Sequence, residues 1–302
     1  LGEPFADSSA IPTQVLARLT RGHVTVALGG DGGDEVFGGY DRYRALRFAR
    51  RLDYLPRRLR RSLAAFAERM RPGHPKSKLA RLRRFAVTLP MSAGERYGSI
   101  MRTFSVVDLQ RLLPGEVALQ EPSRVAGRYF DAYLRDRDLV GAAAALDRAT
   151  YLPGDLLVKL DRCSMLHALE VRSPFMDRSL LRLAGTLGEN GLLSRGRGKR
   201  LLRDAFAASL PASVFGRSKM GFAVPISAWL RGRLRPMTRD LLTARDGFAA
   251  QTFSMPTVHR LLDEHDRERA DHGARLYALL MLELWHRQAR EDERPSTSLV
   301  AA

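Results

Sequence analysis

The chain has 302 residues, 45% of them hydrophobic, enough to fill the core of one large domain or two ordinary ones. Its formal charge of +17 raises the question of nucleic acid, but the arginines are spread over amphipathic stretches such as 57–71 and 81–84 without interleaved aromatics, so they read as solvated helix faces and no nucleic-acid partner is expected. No apolar run approaches the roughly 18 residues that cross a bilayer, no signal-peptide pattern opens the chain, and the single cysteine, Cys163, excludes an internal disulfide and a Cys-rich zinc site, so a cytoplasmic protein without a membrane partner is expected.

Residues 12–21 have helical spacing, with Val15, Leu16 and Leu19 on one face and Pro12 in the first turn. Residues 23–28, His-Val-Thr-Val-Ala-Leu, are β-branched and nearly continuous in hydrophobicity, which predicts a buried strand of a parallel sheet. It is the only convincing strand. From Tyr40 the pattern turns helical, with a Pro/Gly/Lys-rich break at 72–78 and turns at 89–92 and 113–115. Further helices are expected at 126–135, 139–151, 155–169, 178–187, 199–209 and 255–290, with a frayed tail over 295–302. One parallel strand cannot make a sheet, so either further strands are hidden or the segment that supplied them is missing, and the second is favoured.

Ligands in open α/β sheets collect at the carboxyl ends of strands. Here Gly29, Gly30, Gly32 and Gly33 follow the strand and let backbone amides approach a phosphate. Asp31 and Asp34 lie among them. Carboxylates repel phosphate unless a divalent ion lies between, and oxygen ligands of this kind suit Mg²⁺. On these residues alone, a turn whose aspartates merely cap the next helix is an equal alternative.

Lysine is rare: Lys76, Lys78, Lys159, Lys199 and Lys219 are all there are, against fifty lysines and arginines together. Lys199 opens an apolar helix, where the helix dipole disfavours a cation but welcomes an anion, so a lysine there makes sense beside a phosphate. In isolation, a mobile surface lysine is the better reading. Asp155 reads as an N-cap carboxylate, with Lys159 and Arg162 at pairing distance along the helix. Ser8 and Ser9 precede a helix start and read either as caps or as phosphate contacts. Glu170 and Arg172 read as architectural, His167 as a core or helix-surface histidine, and Arg217 and Lys219 as part of a loop over the site.

Several blocks together resemble one family. Residues 3–13, Gly30-Asp31-Gly32-Gly33-Asp34-Glu35-Val36-Phe37-Gly38-Gly39-Tyr40, Leu152-Pro153-Gly154-Asp155-Leu156-Leu157-Val158-Lys159-Leu160-Asp161-Arg162, Glu170-Val171-Arg172-Ser173-Pro174-Phe175-Met176-Asp177, Gly198-Lys199-Arg200 and residues 217–225 are similar, in order, to motifs of the glutamine-hydrolysing asparagine synthetases. The resemblance implies an α/β fold, an ATP-pyrophosphatase (adenine nucleotide alpha-hydrolase-like) domain, truncated and mostly helical in the part present, over residues 1–290, with a disordered tail over 291–302. It implies that ATP and Mg²⁺ activate the side-chain carboxylate of aspartate as an acyl-adenylate with release of pyrophosphate, and that ammonia, free or from glutamine, displaces AMP.

By the same resemblance Asp34 holds Mg²⁺, Asp31 and the surrounding glycine loop lie at the phosphates and adenylate, Lys199 stabilises charge as the adenylate forms, and Asp155 relates to the attacking ammonia. The chain departs from the family in lacking an amino-terminal cysteine nucleophile and a Ser-Gly-Gly-x-Asp-Ser loop, in having Gly29 where serine is usual and Ser218 where proline is usual. A homodimer, or association with a separate glutaminase part, is the expected assembly. The same fold acting on another acid, as in β-lactam synthetases, lasso-peptide cyclases or polysaccharide-cluster amidotransferases, is the alternative enzyme. An inactive fragment serving as a subunit is the non-enzymatic one.

Overall fold

The computed structural model describes residues 2–70, 78–115, 122–194, 197–216, 221–222 and 224–292. Residues 72–77 of the expected break at 72–78, the loop carrying Arg217 and Lys219, and the tail over 295–302 lie outside the described residues. The chain forms two compact units, one made of Ala10–Arg102 and Gln120–Phe222, the other of Leu1–Ser9, Thr103–Leu119 and Ala223–Ala302. No helix among the described residues is long and apolar enough to cross a membrane.

In the first unit, helix α1 (Ala10–Arg21) packs against the helix Val158–Met165 through buried Ala17 and leads into strand β1 (Val26–Leu28). β1 pairs in parallel with β2 (Glu170–Arg172), Val26 opposite Glu170 and Leu28 opposite Arg172. The expectation of a buried strand over 23–28 needs correction: the strand is three residues long, and Val26 and Leu28 are 39% and 75% exposed. Only one strand flanks β1 among the described residues, so its other edge and its outward side chains remain open. β2 escaped the sequence because two charges flank one valine, a pattern with no strand signature; pairing alone makes it a strand.

Helix α2 (Gly33–Phe37) follows the glycine turn, and α3 (Asp41–Leu52), α4 (Ala93–Met101), α5 (Pro122–Leu134) and α6 (Leu139–Ala149) build the core behind it. α6 is buried over almost its whole length; its alanines at 142–145 let neighbouring helices approach closely, and Tyr43, Leu46, Tyr97 and Phe130 fill the space around it. Local chemistry sets its boundary, since the Asp138 carboxylate accepts from the Gly141 N–H at 2.7 Å. α4 starts at a capping box, Ser92 and Glu95 bonding each other's backbone N–H.

The helix expected over 155–169 begins earlier, as a π-helical turn at Leu152–Leu157, and becomes α-helical over Val158–Met165. Asp155 therefore lies inside a helical segment and is no N-cap. The helix expected over 178–187 is present as α7 (Arg178–Thr186), capped by Asp177, and the one expected over 199–209 shortens to α8 (Arg200–Ala205).

The second unit centres on α9 (Met255–Asp266) and α10 (Gly273–Asp292), whose Leu261, Leu262, Leu276 and Leu280 pack with Leu242 and Val258. A single helix over 255–290 was expected, and it is broken. Asp271 accepts from the Gly273 N–H at 2.9 Å and from the Ser227 hydroxyl at 2.8 Å, and Glu268 takes a left-handed backbone with φ of 54°. Apolar periodicity continues across this break, which is why spacing alone did not reveal it.

Candidate active site

The turn after β1 continues the parallel ladder for one residue, the Gly29 N–H donating to the Arg172 carbonyl at 2.8 Å. The Gly33 N–H then closes a tight turn on the Gly30 carbonyl at 3.3 Å. Among the described residues, the N–H groups of Gly30, Asp31 and Gly32 have no hydrogen-bond partner. Three consecutive unpaired donors at the carboxyl end of a strand are the backbone chemistry that receives an anion.

Lys199 joins this turn from far along the chain. Its N–H donates to the Phe37 carbonyl at 3.0 Å, and its Nζ lies 2.9 Å from Asp34 Oδ1. The approach depends on two glycines: a Cβ on Gly39 would collide with Asp34 Oδ1 and lie 2.6 Å from Lys199 Cε, and a Cβ on Gly198 would run into the Gly38 carbonyl oxygen. Lys199 itself adopts a left-handed backbone, φ 58° and ψ 41°, a conformation costing about 1–2 kcal/mol for a residue with a Cβ. Side chains of Asp34 and Lys199 are 24% and 34% exposed, so the pair is open to a ligand.

Behind the turn lies a polar network that the sequence did not announce. Glu35 is 1% exposed, accepts a hydrogen bond from the Tyr40 hydroxyl, and has its carbonyl held by Arg148 Nη1 at 3.1 Å. Burial pushes the Glu35 carboxyl above the usual carboxylate range, with the Tyr40 bond opposing, and burial followed by the charge of Glu35 pushes the Tyr40 phenol upward. The Arg42 guanidinium stacks 3.6 Å above the Tyr40 ring and binds the buried carboxylate of Asp147 at 2.7 Å, which also accepts from the Tyr43 and Tyr97 hydroxyls. A glutamate beside the loop aspartate and a tyrosine after the paired glycines were the only signals available in the sequence.

The remaining candidates divide. Gly29, Gly30, Asp31, Gly32, Gly33, Asp34 and Lys199 come together in one turn. Asp155 is partly buried on the π-helical segment that follows Tyr151, whose ring meets Tyr40 at 6.0 Å. Ser8 and Ser9 belong to the other unit, where the Ser9 N–H and hydroxyl donate to Asp7 at 2.9 and 2.6 Å, a local turn of the capping kind. Glu170 and Arg172 pair with each other at 2.6 Å on the surface of β2.

Among the described residues no three His, Cys, Asp or Glu side chains gather into a metal cage. One partly exposed carboxylate, Asp34, beside free backbone donors fits a cation that is completed by substrate phosphates and water, which is the habit of Mg²⁺ and not of zinc or calcium.

The profile of the asparagine synthase family matches residues 1–287. A Mycobacterium tuberculosis (strain ATCC 25618 / H37Rv) protein assigned by name to the glutamine-hydrolysing asparagine synthetases is 37% identical over 287 residues, covering 95% of this chain and 43% of the relative. Asparagine synthetase [glutamine-hydrolyzing] 1 of Bacillus subtilis (strain 168) is 30% identical over 286 residues, 94% of this chain and 44% of its own length. The chain thus spans less than half the length of these relatives. Ordered motifs, the Asp34–Lys199 turn and a match over nearly every residue agree: the chain belongs to the asparagine synthase family.

Proposed function

We propose that this chain supplies one wall of the ATP site of a ligase that forms asparagine from aspartate through a β-aspartyl-adenylate, releasing AMP and pyrophosphate, with nitrogen from glutamine or ammonia. The observation that carries the reading is the Asp34–Lys199 contact beside the free N–H groups of Gly30, Asp31 and Gly32. The backbone donors bind phosphate oxygens and orient the nucleotide. Lys199 holds positive charge where the leaving pyrophosphate gains negative charge, a stabilisation strongest in a site with little water. Asp34 holds Mg²⁺, which when bound neutralises the phosphates and polarises the bond to be broken.

Asp31, in the same turn, faces the phosphates and the adenylate. Asp155 serves at the side where ammonia arrives. The protein works in the cytoplasm, as a homodimer or with a glutaminase part carried elsewhere.

The test is direct. The intact protein, given ATP and Mg²⁺, releases AMP and pyrophosphate only when aspartate is present. Release that depends on a different carboxylic acid moves the protein to another ligase of the same fold, and no release with any acid leaves the inactive-subunit reading.

A further inference from the structure

We propose that Tyr40 and Glu35 are positioning residues that hold Asp34 in register with Lys199, and this rests on the function proposed above. Asp34 and Glu35 are adjacent yet divide their tasks: Asp34 is partly exposed at the turn, and Glu35 is buried behind it. The segment 34–40 is tied shut twice, by the Gly39 N–H on the Asp34 carbonyl at 2.8 Å and by the Tyr40 hydroxyl on the Glu35 carboxyl. The first tie sets the backbone and the second sets its depth against the core.

Tyr40 cannot drift. Arg42 covers its ring at 3.6 Å, while Tyr43 and Tyr151 meet it edge-on with ring centres 5.7 and 6.0 Å away. Arg42 is fixed in turn by Asp147 and by the Tyr97 hydroxyl at 3.1 Å. A buried carboxyl in this place is expensive, and well-packed apolar groups would be cheaper for stability alone. Its value lies in direction. Lys199 packs against Gly39, so a shift of residues 39–40 translates straight into the Asp34–Lys199 distance.

Tyr40→Phe removes only the hydroxyl and keeps the ring beneath Arg42. Glu35→Gln keeps an acceptor for that hydroxyl. Glu35→Asp shortens the reach and is the second arm should Tyr40→Phe fail to fold. The readout is binding of Mn²⁺, standing in for Mg²⁺, with ATP to the intact protein, followed by electron paramagnetic resonance, alongside thermal melts.

Tyr40→Phe and Glu35→Asp are expected to weaken Mn²⁺–ATP binding about 10- to 100-fold, the range typical of groups that orient a metal ligand, while Glu35→Gln stays near the unsubstituted protein. Unchanged binding in both Tyr40→Phe and Glu35→Asp overturns the proposal. So does a Glu35→Gln variant as impaired as Glu35→Asp, since a bond preserved without effect would not be the one that positions. Asp34→Asn separates the two levels. If it abolishes binding while neither Tyr40→Phe nor Glu35→Asp weakens it, positioning fails alone; if Asp34→Asn also binds normally, the site reading falls and takes this proposal with it.

Discussion

Lys199 meets Asp34 at 2.9 Å from a left-handed backbone that a residue with a Cβ adopts only at a cost. Strain of this kind persists where the surrounding structure imposes it, and here the Phe37 carbonyl takes the Lys199 N–H. Lys199→Gly therefore separates stability from function. It is expected to leave the thermal midpoint unchanged or raise stability by up to about 1 kcal/mol, while aspartate-dependent pyrophosphate release falls by about 100-fold or more. Calorimetry and a pyrophosphate assay on the same sample check both halves.

Asp34→Asn removes a charge from a partly exposed pair, which is worth only about 0–1 kcal/mol to the fold. Melting should move little, and Mg²⁺-dependent adenylation should be lost. Near-normal adenylation in the variant would remove Asp34 from the mechanism.

The close passage of Gly198 over the Gly38 carbonyl leaves no room for a methyl group. Gly198→Ala is expected to destabilise by about 1–3 kcal/mol, since the obstacle is backbone and cannot rotate away. Urea titration gives the value.

Arg96 is almost wholly buried and binds Asp53 at 2.7 and 3.2 Å and the carbonyls of Thr88, Leu89 and Met91 at 3.3, 3.4 and 3.2 Å. Arg96→Met fills similar space but removes the guanidinium from the Met91 carbonyl and one of two partners from Asp53, Thr88 and Leu89, which keep Arg60 or the Met91 N–H. A loss of about 1–3 kcal/mol is expected, seen as a fall in the denaturant midpoint.

His265 in the second unit is fully buried, donates from Nε2 to the Ser227 carbonyl at 3.1 Å and accepts at Nδ1 from the His272 N–H at 3.1 Å. These bonds require the neutral ring. Burial, then the charge of Arg231, lowers its pKa below the ordinary imidazole value of 6.5, with Ser227 and Asp271 opposing. The unfolded chain thus takes up the proton more readily. Stability from this group is complete above 6.5 and declines as pH falls through the lowered folded value. Melts recorded between roughly pH 7.5 and 5.5 should show the decline, and His265→Gln should flatten it at a lower overall stability.

Much of the glycine turn was legible in sequence. Glycines clustered behind a β-branched run mark a turn that either receives a phosphate or leads into a capped helix, and each of five lysines in an arginine-rich chain asks for a reason. Strand β2 was not legible, because three residues with a charge at each end become a strand only through a partner. Nor was the burial of β1 judged correctly, since hydrophobicity reports what a strand would bury and not whether anything covers it. The break at 267–272 was hidden because Asp271 and Ser227 make it through a contact outside the helix itself.

Motif order by itself pointed to the family, which the match over residues 1–287 bears out, and marked residues 29–34 and Lys199 as candidates for a phosphate site. Tertiary structure decided which charges meet. Asp34 and Lys199 become a pair, and Glu35, Tyr40, Arg42 and Asp147 a network, because α2, α3, α6 and α8 converge behind one turn. Local propensity acts over a few residues, whereas a hydrogen bond between distant side chains exists only after packing has brought their backbones within reach.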